Sequence, residues 1–374
     1  MTGQHKYNAR KKEHYHTGYD DGFEPLHSLD LNQVSDFDEL AEEMKATAFG
    51  GRSLGEAVDV LYEMVKDPEV FVVGTFAGAM TPAKMGLLIV EMIERGMLNA
   101  VVSTGALMTH GMVEGFGMQH FKYRFGQMND EELYAKGYDR IYDVLELEKN
   151  LDDLELLIDR VLQEFEPGSK VSSRSLNEAV GKFLKENLKP QEKAILKSAY
   201  ERSVPVYIPA FSDSEYGLDF ALYNRKLKEA GKEPLRFDPM EDLEHLTTLI
   251  EQAKSRGIFT IGGGVPRNWA QQIPPYIDLI KYRIKTQGTV KNIGKDVPGN
   301  ANTVSIKYKF GVRICPEPVH WGGLSGCTYS EGMSWGKFHT PQEGGKFAEV
   351  LADATIAWPI ILKAVIQRLE KDKK

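Results

Sequence analysis

Residues 69 to 108 read EVFVVGTFAGAMTPAKMGLLIVEMIERGMLNAVVSTGALM, and this stretch decides the fold class of the chain. The segment FVVG predicts a short buried strand, and a loop of small residues follows it. We expect a helix from about Pro82 to Arg95 and a second strand at NAVVST. Strand, helix and strand in this order predict a βαβ unit, whose two strands are parallel.

The same alternation continues toward the C-terminus. Strands are predicted within VPVYIPAFSDSEYGLD (204–219), IFTIGGGVPRN (258–268), VSIKYKFGVRI (304–314) and AEVLADAT (348–355), and helices at HLTTLIEQAKSRG (245–257), NWAQQIPPYIDLIKYR (268–283) and the C-terminus. We therefore predict an α/β fold with a doubly wound, mainly parallel, Rossmann-like sheet. Ligands of such sheets bind outside the carboxyl ends of the strands.

The N-terminal part is expected to be different. Residues 1 to 35 are polar and tyrosine-rich and are interpreted as an arm, while residues 36 to 374 are predicted to be one domain. This domain should open with a helical extension, an amphipathic helix at DFDELAEEMKATAF and a second helix at SLGEAVDVLYEMVKD with a serine cap. Residues 130 to 200 predict a long acidic helical region.

Composition excludes several classes of protein. The 374 residues are 42% hydrophobic and 27% charged, so the chain can bury a large core. A net charge of −8 argues against nucleic-acid binding, and no run of apolar residues has the length of a signal peptide or a membrane span. Cys315 and Cys327 are the only cysteines, as expected in a reduced cytoplasm. We predict a cytoplasmic protein without a membrane or nucleic-acid partner.

Histidines near the N-terminus are the first candidates for metal ligands. His5, His14 and His16 lie among lysines in the arm. No carboxylate and histidine ligands follow them at helical spacing, so nothing fixes a coordination geometry. We predict no metal site.

The strand ends carry the candidate binding residues. The glycines of IGGGVPRN let backbone amides approach a phosphate at a helix N-terminus, although a tight turn without a ligand is an equal alternative. GTFAGAM and STGALM would let a planar cofactor lie close, or they pack a strand tightly against a helix. Asp213 and Asp353 each follow a strand, where a carboxylate can bind ribose hydroxyls or simply cap a helix.

One lysine is the candidate nucleophile. In EGMSWGKFHT, residues 331 to 340, Lys337 lies between Trp335 and Phe338. Burial beside aromatic rings lowers the pKa of a lysine and makes it nucleophilic. The alternative is a lysine that snorkels along Trp335 into water. Glu331 is a possible acid-base group or amine anchor, or an ordinary surface carboxylate. Walker, nucleophile-elbow and zincin motifs are absent from the sequence.

The order of these segments resembles the deoxyhypusine synthase family, and EGMSWGKF is similar to its lysine-bearing signature. The resemblance runs from about ATAFGGRSLGEAVDVL to the C-terminus through every strand end quoted above. It implies that NAD oxidises spermidine and that the aminobutyl group passes through an imine on Lys337 to a lysine of a translation factor. It also implies that Trp335 and Glu331 bind the polyamine, and Asp219, one position beyond the simple alignment, is a further candidate for binding it. The implied cofactor residues are Thr104, Gly105, Ala106, Asp213, Gly262, Gly263, Asp353 and Ala354.

The chain departs from the family pattern at several positions. Thr109 and His110 stand where two glutamates are expected, Trp269 aligns with a substrate histidine, and Trp321 and Leu324 replace aspartates before the lysine. The expected activity is therefore an NAD-dependent aminobutyl transfer from spermidine or a related polyamine.

Several alternatives remain. The acceptor is a protein lysine or a small diamine, as in a homospermidine-synthase-type enzyme. A plain dehydrogenase, or a non-catalytic protein of the same fold that binds dinucleotide or amine, is also possible. The resemblance further predicts a homotetramer with cofactor sites at subunit interfaces.

Overall fold

A six-stranded, entirely parallel sheet forms the centre of the computed structural model, which describes residues 10–281 and 306–373. The strands are β1 (Val70–Phe76), β2 (Ala100–Ser103), β3 (Phe121–Lys122), β4 (Tyr138–Ile141), β5 (Val144–Leu147), β6 (Lys170–Val171), β7 (Val206–Tyr207), β8 (Arg236–Phe237), β9 (Ser255–Ile261), β10 (Phe310–Ile314) and β11 (Lys346–Val350). The central sheet has the order β11-β10-β9-β1-β2-β7.

Helices connect most of these strands. They are α1 (Phe37–Lys45), α2 (Phe49–Lys66), α3 (Gly86–Glu94), α4 (Gly105–Gly115), α5 (Asp130–Ala135), α6 (Glu148–Leu162), α7 (Ser173–Asn187), α8 (Ile195–Glu201), α9 (Glu215–Glu229), α10 (Pro239–Gln252), α11 (Gly264–Gln271), α12 (Ile273–Leu279), α13 (Tyr329–Ser334) and α14 (Ala354–Lys371). In the part of the chain that the structure describes, no helix is both long and apolar enough to span a membrane.

The predicted βαβ unit is confirmed as β1, α3 and β2. Side chains on β1 alternate between two cores, because successive residues of a strand point to opposite faces. Val72 packs in the core that contains α2 and α14, and Val73 packs in the core that contains residues of α10, α11 and α12. Helices therefore cover both faces of the sheet, and the predicted doubly wound α/β fold is confirmed.

The strand order creates a switch point between β1 and β9. From β1 the chain moves outward through β2 to β7, and it then returns to the other side of β1 as β9. Ala77 N donates to Ile261 O over 3.1 Å, so the loops after β1 and β9 diverge from adjacent strand ends. Such a crevice is where open α/β sheets bind ligands.

The predicted helical extension packs against the C-terminal helix. Arg368 of α14 pairs with Asp38 of α1 and Asp59 of α2, each over 2.6 Å. The cap prediction for the second helix was wrong: α2 begins at Phe49, so Ser53 lies inside it and donates to Phe49 O over 3.4 Å.

The predicted acidic helical region, residues 130 to 200, is largely helical but is interrupted by strands. Strands β4 and β5 form a hairpin there, and with β3 they make a separate three-stranded antiparallel sheet, which we call the small lobe. The turn of this hairpin contains Tyr142 at φ 55°, a left-handed conformation that is uncommon for residues other than glycine.

One other predicted element, the helix at residues 268–283, differs from the structure. The predicted helix 268–283 is divided into α11 and α12, because Pro274 and Pro275 lack the amide hydrogen that a continuous helix needs. Tyr282 and Arg283 at the end of this prediction, Val304 and Ser305 at the start of the predicted strand 304–314, and His5 of the arm lie outside the described residues.

Candidate functional site

Lys337 lies in a turn between α13 and the core. Thr328 caps α13 by accepting from Glu331 N over 3.0 Å, and Gly336 follows the helix at φ 72°, in the left-handed region that favours glycine. Lys337 N donates to Gly332 O over 3.1 Å, and Lys337 O accepts from Tyr308 N over 3.0 Å. Hydrogen bonds therefore fix both the backbone N–H and the backbone C=O of Lys337.

The side chain of Lys337 is buried. The residue is 9% exposed, and its Nζ lies 3.5 Å from Oδ1 of Asn268 on α11. Trp335 is 68% exposed, and its ring centroid is 6.0 Å from the same Nζ. The lysine thus points toward the helix that follows the glycine loop, and the snorkelling interpretation does not fit this geometry.

Burial lowers the pKa of the Lys337 amine below its ordinary value. The Cys327 side chain opposes this shift, Arg267 strengthens it by repulsion, and Glu331 opposes it. A lowered pKa is the direction of shift that favours a nucleophilic lysine.

Two buried arginines hold the segment before α13 against the sheet. Arg267 of α11 donates to Cys327 O over 2.7 Å and lies 5.2 Å from the centre of the Tyr329 ring. Arg313 of β10 donates to Ser325 O and pairs with Glu349 of β11 over 2.7 Å. The two arginines therefore connect the segment before the lysine turn to the end of β10, to β11 and to the helix that follows β9.

The glycine loop fits closely beneath this segment. Gly262 lies at φ 74°, and a Cβ on Gly263 would come within 2.6 Å of Ser325 Cα. A side chain at Gly263 would therefore force backbone to move. This close contact is with the protein's own backbone, as the tight-turn interpretation of these glycines expects, and phosphate binding by the loop stays a prediction.

Thr104, Gly105 and Ala106 form the start of α4 at the carboxyl end of β2. The Thr104 side chain accepts from Leu107 N over 3.3 Å. A Cβ on Gly105 would lie 2.1 Å from Ser214 Oγ, so this turn contacts the loop that carries Asp213. Asp213 is exposed and has no hydrogen bond or ion pair within residues 10–281 and 306–373, while Ser214 caps α9.

Asp353 caps α14, as the simpler sequence interpretation held. Its Oδ1 accepts from Thr355 N over 2.7 Å and from Thr355 Oγ1 over 2.9 Å. Ala354 is buried behind it. These two residues close the carboxyl end of β11, beside the end of β10.

The structure does not bring Asp219 to Lys337 within this chain. Asp219 lies on α9, where burial first and then Glu155 and Glu215 raise its pKa to about 7, against the effect of Lys226. A nearby cation favours ionisation of such a desolvated carboxyl group, and Lys226 is the residue that has this effect on Asp219.

The residues that depart from the family pattern lie in separate environments. Thr109 is completely buried and donates to Gly105 O over 3.1 Å, and His110 pairs with Glu146. Trp269 packs 5.6 Å from the Tyr207 ring, so Asn268, and not Trp269, is the neighbour of Lys337 on α11. Trp321 and Leu324 are exposed and make the rim before the lysine apolar.

Several helices begin at the carboxyl edge of the sheet. Helices α4, α11 and α14 all begin there, so unpaired amide hydrogens and the positive ends of three helix dipoles meet at one edge. The unpaired Asp213 carboxylate lies near the first of them. Fold and site together define a doubly wound α/β protein with a buried lysine beside the crevice at its switch point.

Comparison with known proteins identifies the family. The family profile described as deoxyhypusine synthase matches residues 39–365. A "Probable deoxyhypusine synthase 2" of Methanosarcina mazei is 34% identical over 90% of this chain and 88% of its own length. A "Deoxyhypusine synthase-like protein" of Chlorobaculum parvum is 32% identical over 86% of this chain and 84% of its own. The chain belongs to the deoxyhypusine synthase family, which supports a transferase acting on a polyamine.

A solved structure agrees on the fold. A protein assigned as a deoxyhypusine synthase from Entamoeba histolytica superposes with a TM-score of 0.54 and 15% identity, over 91% of this chain and 97% of that one. The sequence analysis missed Asn268, Arg267 and Arg313. Arginine and asparagine in a strand or helix carry no signal of their own, and only the tertiary contacts reveal their link to Lys337.

Proposed function

We propose that the protein is an NAD-dependent aminobutyl-transferase in which Lys337 holds the aminobutyl group of spermidine or a related polyamine as an imine. The observation that carries this proposal is the buried, pKa-lowered amine of Lys337 beside the glycine loop of a dinucleotide-type sheet. Family membership supplies the class of reaction.

In the proposed transfer, Lys337 carries the aminobutyl group between the donor and the acceptor. NAD held at the strand ends would supply the hydride acceptor that converts the secondary amine of the substrate into an iminium, and the resulting NADH would supply the hydride that reduces the imine of the product. The neutral amine of Lys337 attacks the iminium carbon, and 1,3-diaminopropane leaves with its nitrogen protonated. The acceptor amine then attacks the same carbon and releases Lys337.

The remaining site residues have supporting roles in this proposal. Thr104, Gly105, Ala106, Gly262, Gly263, Ala354, Asp213 and Asp353 are proposed to hold the dinucleotide at the strand ends. Glu331 lies close enough to influence the pKa of Lys337, so its carboxylate can bind a substrate ammonium near the reacting carbon. Trp335 offers a largely exposed ring against which methylene groups can pack.

Asp219 requires a second subunit in this scheme. The charged groups that influence Asp219 differ from those that influence Lys337, so we propose that Asp219 serves a site completed by another copy. The exposed apolar rim of Trp321, Leu324, Trp335 and Ile356 at the carboxyl edge supports the same assembly.

Borohydride trapping tests the chemistry. Protein incubated with NAD and spermidine, then reduced, should carry an aminobutyl adduct on Lys337 in peptide mass analysis. Lys337→Arg is the matched control, because guanidinium stays protonated and forms no imine. This variant should lose all transfer while it keeps NAD binding and some amine-dependent NADH formation.

Different results separate the alternatives. Transfer by Lys337→Arg at the wild-type rate would refute the lysine imine. Net NADH accumulation without an adduct would indicate a dehydrogenase, and tight NAD binding without turnover of any amine would indicate a binding protein. Product chromatography with putrescine and with a translation-factor acceptor decides which amine receives the group.

A further inference from the structure

A second cluster of reactive side chains lies outside the Lys337 site. It consists of His110, His120 and Glu146, whose Nδ1, Nε2 and carboxylate oxygen all lie within 4.8 Å of one another. His110 Nδ1 is 3.0 Å from Glu146 Oε2, and His120 Nε2 is 2.8 Å from the same oxygen. Nothing in the proposed transfer uses these three groups.

The cluster joins two parts of the molecule. His110 belongs to α4 of the main body, His120 immediately precedes β3, and Glu146 lies on β5, so the last two belong to the small lobe. The His120 and Glu146 side chains are each 1% exposed, whereas the His110 side chain is 13% exposed. The cluster is thus closed on the lobe side and open only beside His110.

The carboxylate is already oriented. Glu146 Oε1 accepts from Asn150 Nδ2 over 2.6 Å and from Leu147 N over 2.9 Å. These two bonds leave Oε2 directed at the imidazoles. Metal-binding carboxylates are commonly held in this way by hydrogen bonds to their second oxygen.

One nitrogen in the cluster has no hydrogen bond. His120 Nε2 is buried and lacks a partner with hydrogen-bond geometry, although Glu146 Oε2 is only 2.8 Å away. The ring plane therefore does not direct an N–H at that oxygen. A cation bound to both atoms would give this nitrogen a partner and would hold it beside the carboxylate oxygen.

We propose that His110 Nδ1, His120 Nε2 and Glu146 Oε2 bind one divalent transition-metal ion, with Zn²⁺ the best match. Two imidazoles and one carboxylate are a known three-ligand set for zinc, in which water takes the fourth position. The open side beside His110 provides that position. The ion would fasten the small lobe to α4.

Lys84 is the group that opposes metal binding. Its Nζ lies 3.0 Å from His120 Nδ1, and as an ammonium it donates to Nδ1 and keeps the ring hydrogen on Nε2. A metal on Nε2 requires the opposite tautomer. The Lys84 side chain is 44% exposed and lies 3.5 Å from Glu114, so it can turn toward Glu114 when the ion binds.

Calorimetric titration of the untagged, chelator-treated full chain with Zn²⁺ and with Co²⁺ tests this site. We expect one equivalent per chain, a visible spectrum of four-coordinate cobalt, and a higher melting temperature with zinc. Glu146→Gln and His110→Asn should each weaken binding by roughly 100-fold. Lys84→Met should tighten it by about 10-fold, because the competing ammonium is gone.

His245→Asn is the matched control, since His245 is a half-buried histidine that bonds Tyr207 far from the cluster. This variant should bind zinc as the wild type does. Absence of stoichiometric binding, or equal affinity in the wild type and in a folded Glu146→Gln protein, would overturn the metal site and leave a hydrogen-bonded triad. None of these results depends on amine transfer, so they do not test the transferase proposal.

Discussion

The surroundings of Lys337 shift its pKa in opposite directions. Burial and Arg267 disfavour its ammonium form, and Cys327 and Glu331 favour it. Because Glu331 is exposed at the start of α13, it can also meet an incoming ammonium group. The same carboxylate therefore has two effects that experiment can separate: one on the pKa of the lysine, and one on amine binding.

Glu331→Gln should shift the pH dependence of adduct formation to lower pH. Removal of the carboxylate removes a group that raises the pKa of Lys337, so more of the amine is neutral at a given pH. The rate of borohydride-trapped adduct formation at saturating amine, measured from pH 6 to 10, checks this. The KM for the amine should rise in the same variant.

Glu229→Gln is the control for that profile, because Glu229 is an exposed carboxylate at the end of α9. Its pH profile should match the wild type. A Glu331→Gln profile that does not move, or that moves to higher pH, would show that the lysine does not feel this carboxylate.

At the scale of elements, the segment between β10 and α13 depends on Arg313. This arginine is buried, bonds Ser325 O and pairs with Glu349, which also accepts from Tyr329 N over 2.6 Å. Without Arg313, Glu349 would remain as a partly buried carboxylate with no cation. The loop that carries Cys327 would also lose its attachment to β10.

Arg313→Met should therefore lower the free energy of unfolding by about 3–5 kcal/mol, since one partner of a buried ion pair is removed. Urea denaturation measures this change. Arg140→Met, which breaks an exposed pair with Asp130, should cost less than about 1 kcal/mol. Adding Glu349→Gln to Arg313→Met should restore part of the loss, and equal costs for the two single variants would contradict the buried-pair argument.

The sequence predicted those elements whose pattern is local. Hydrophobic runs such as FVVG and NAVVST identified the βαβ unit, and the order of strand ends identified the family. The hairpin of β4 and β5 was missed because its short strands lie in a charged region between helices, and its partner β3 is distant in the chain.

The site was predictable only in part for a related reason. Lys337 and the glycine loop have recognisable surroundings in the sequence. Asn268 next to Lys337, and the cluster of His110, His120 and Glu146, arise from packing between elements that no local pattern connects.

At the scale of the whole molecule, the carboxyl edge of the sheet is apolar and exposed. Trp321, Trp335 and Ile356 lie there with 72%, 68% and 65% of their surface exposed. Large exposed aromatic residues around a binding site are typical of an interface. We expect light scattering at micromolar concentration to give a tetramer, about four times the 42.0 kDa chain mass. Trp321→Glu should favour smaller species, and a wild-type monomer would remove the basis for shared sites.

Asp219 makes the stability of the whole fold depend on pH. Burial, together with Glu155 and Glu215, raises its pKa to about 7, from an ordinary value of 3.8. The folded protein therefore holds a proton on Asp219 between these two values while the unfolded chain has lost it. The contribution of Asp219 to stability is full below about pH 4 and declines as the pH rises toward 7.

Asp219→Asn removes this dependence, because an amide does not ionise. The variant should match the wild type near pH 4 and exceed its free energy of unfolding by about 1–2 kcal/mol at pH 8, a value reduced for partial solvent screening. Urea denaturation of both proteins at pH 4, 6 and 8 and at one fixed protein concentration measures the difference, in which other titrating groups cancel. If Asp219 also binds a polyamine, added spermidine at pH 8 should stabilise the wild type more than the variant. If the difference in free energy of unfolding between the two proteins stays constant across pH, Asp219 ionises normally in the folded protein. Its proposed role as a desolvated carboxylate that binds a substrate cation would then be wrong.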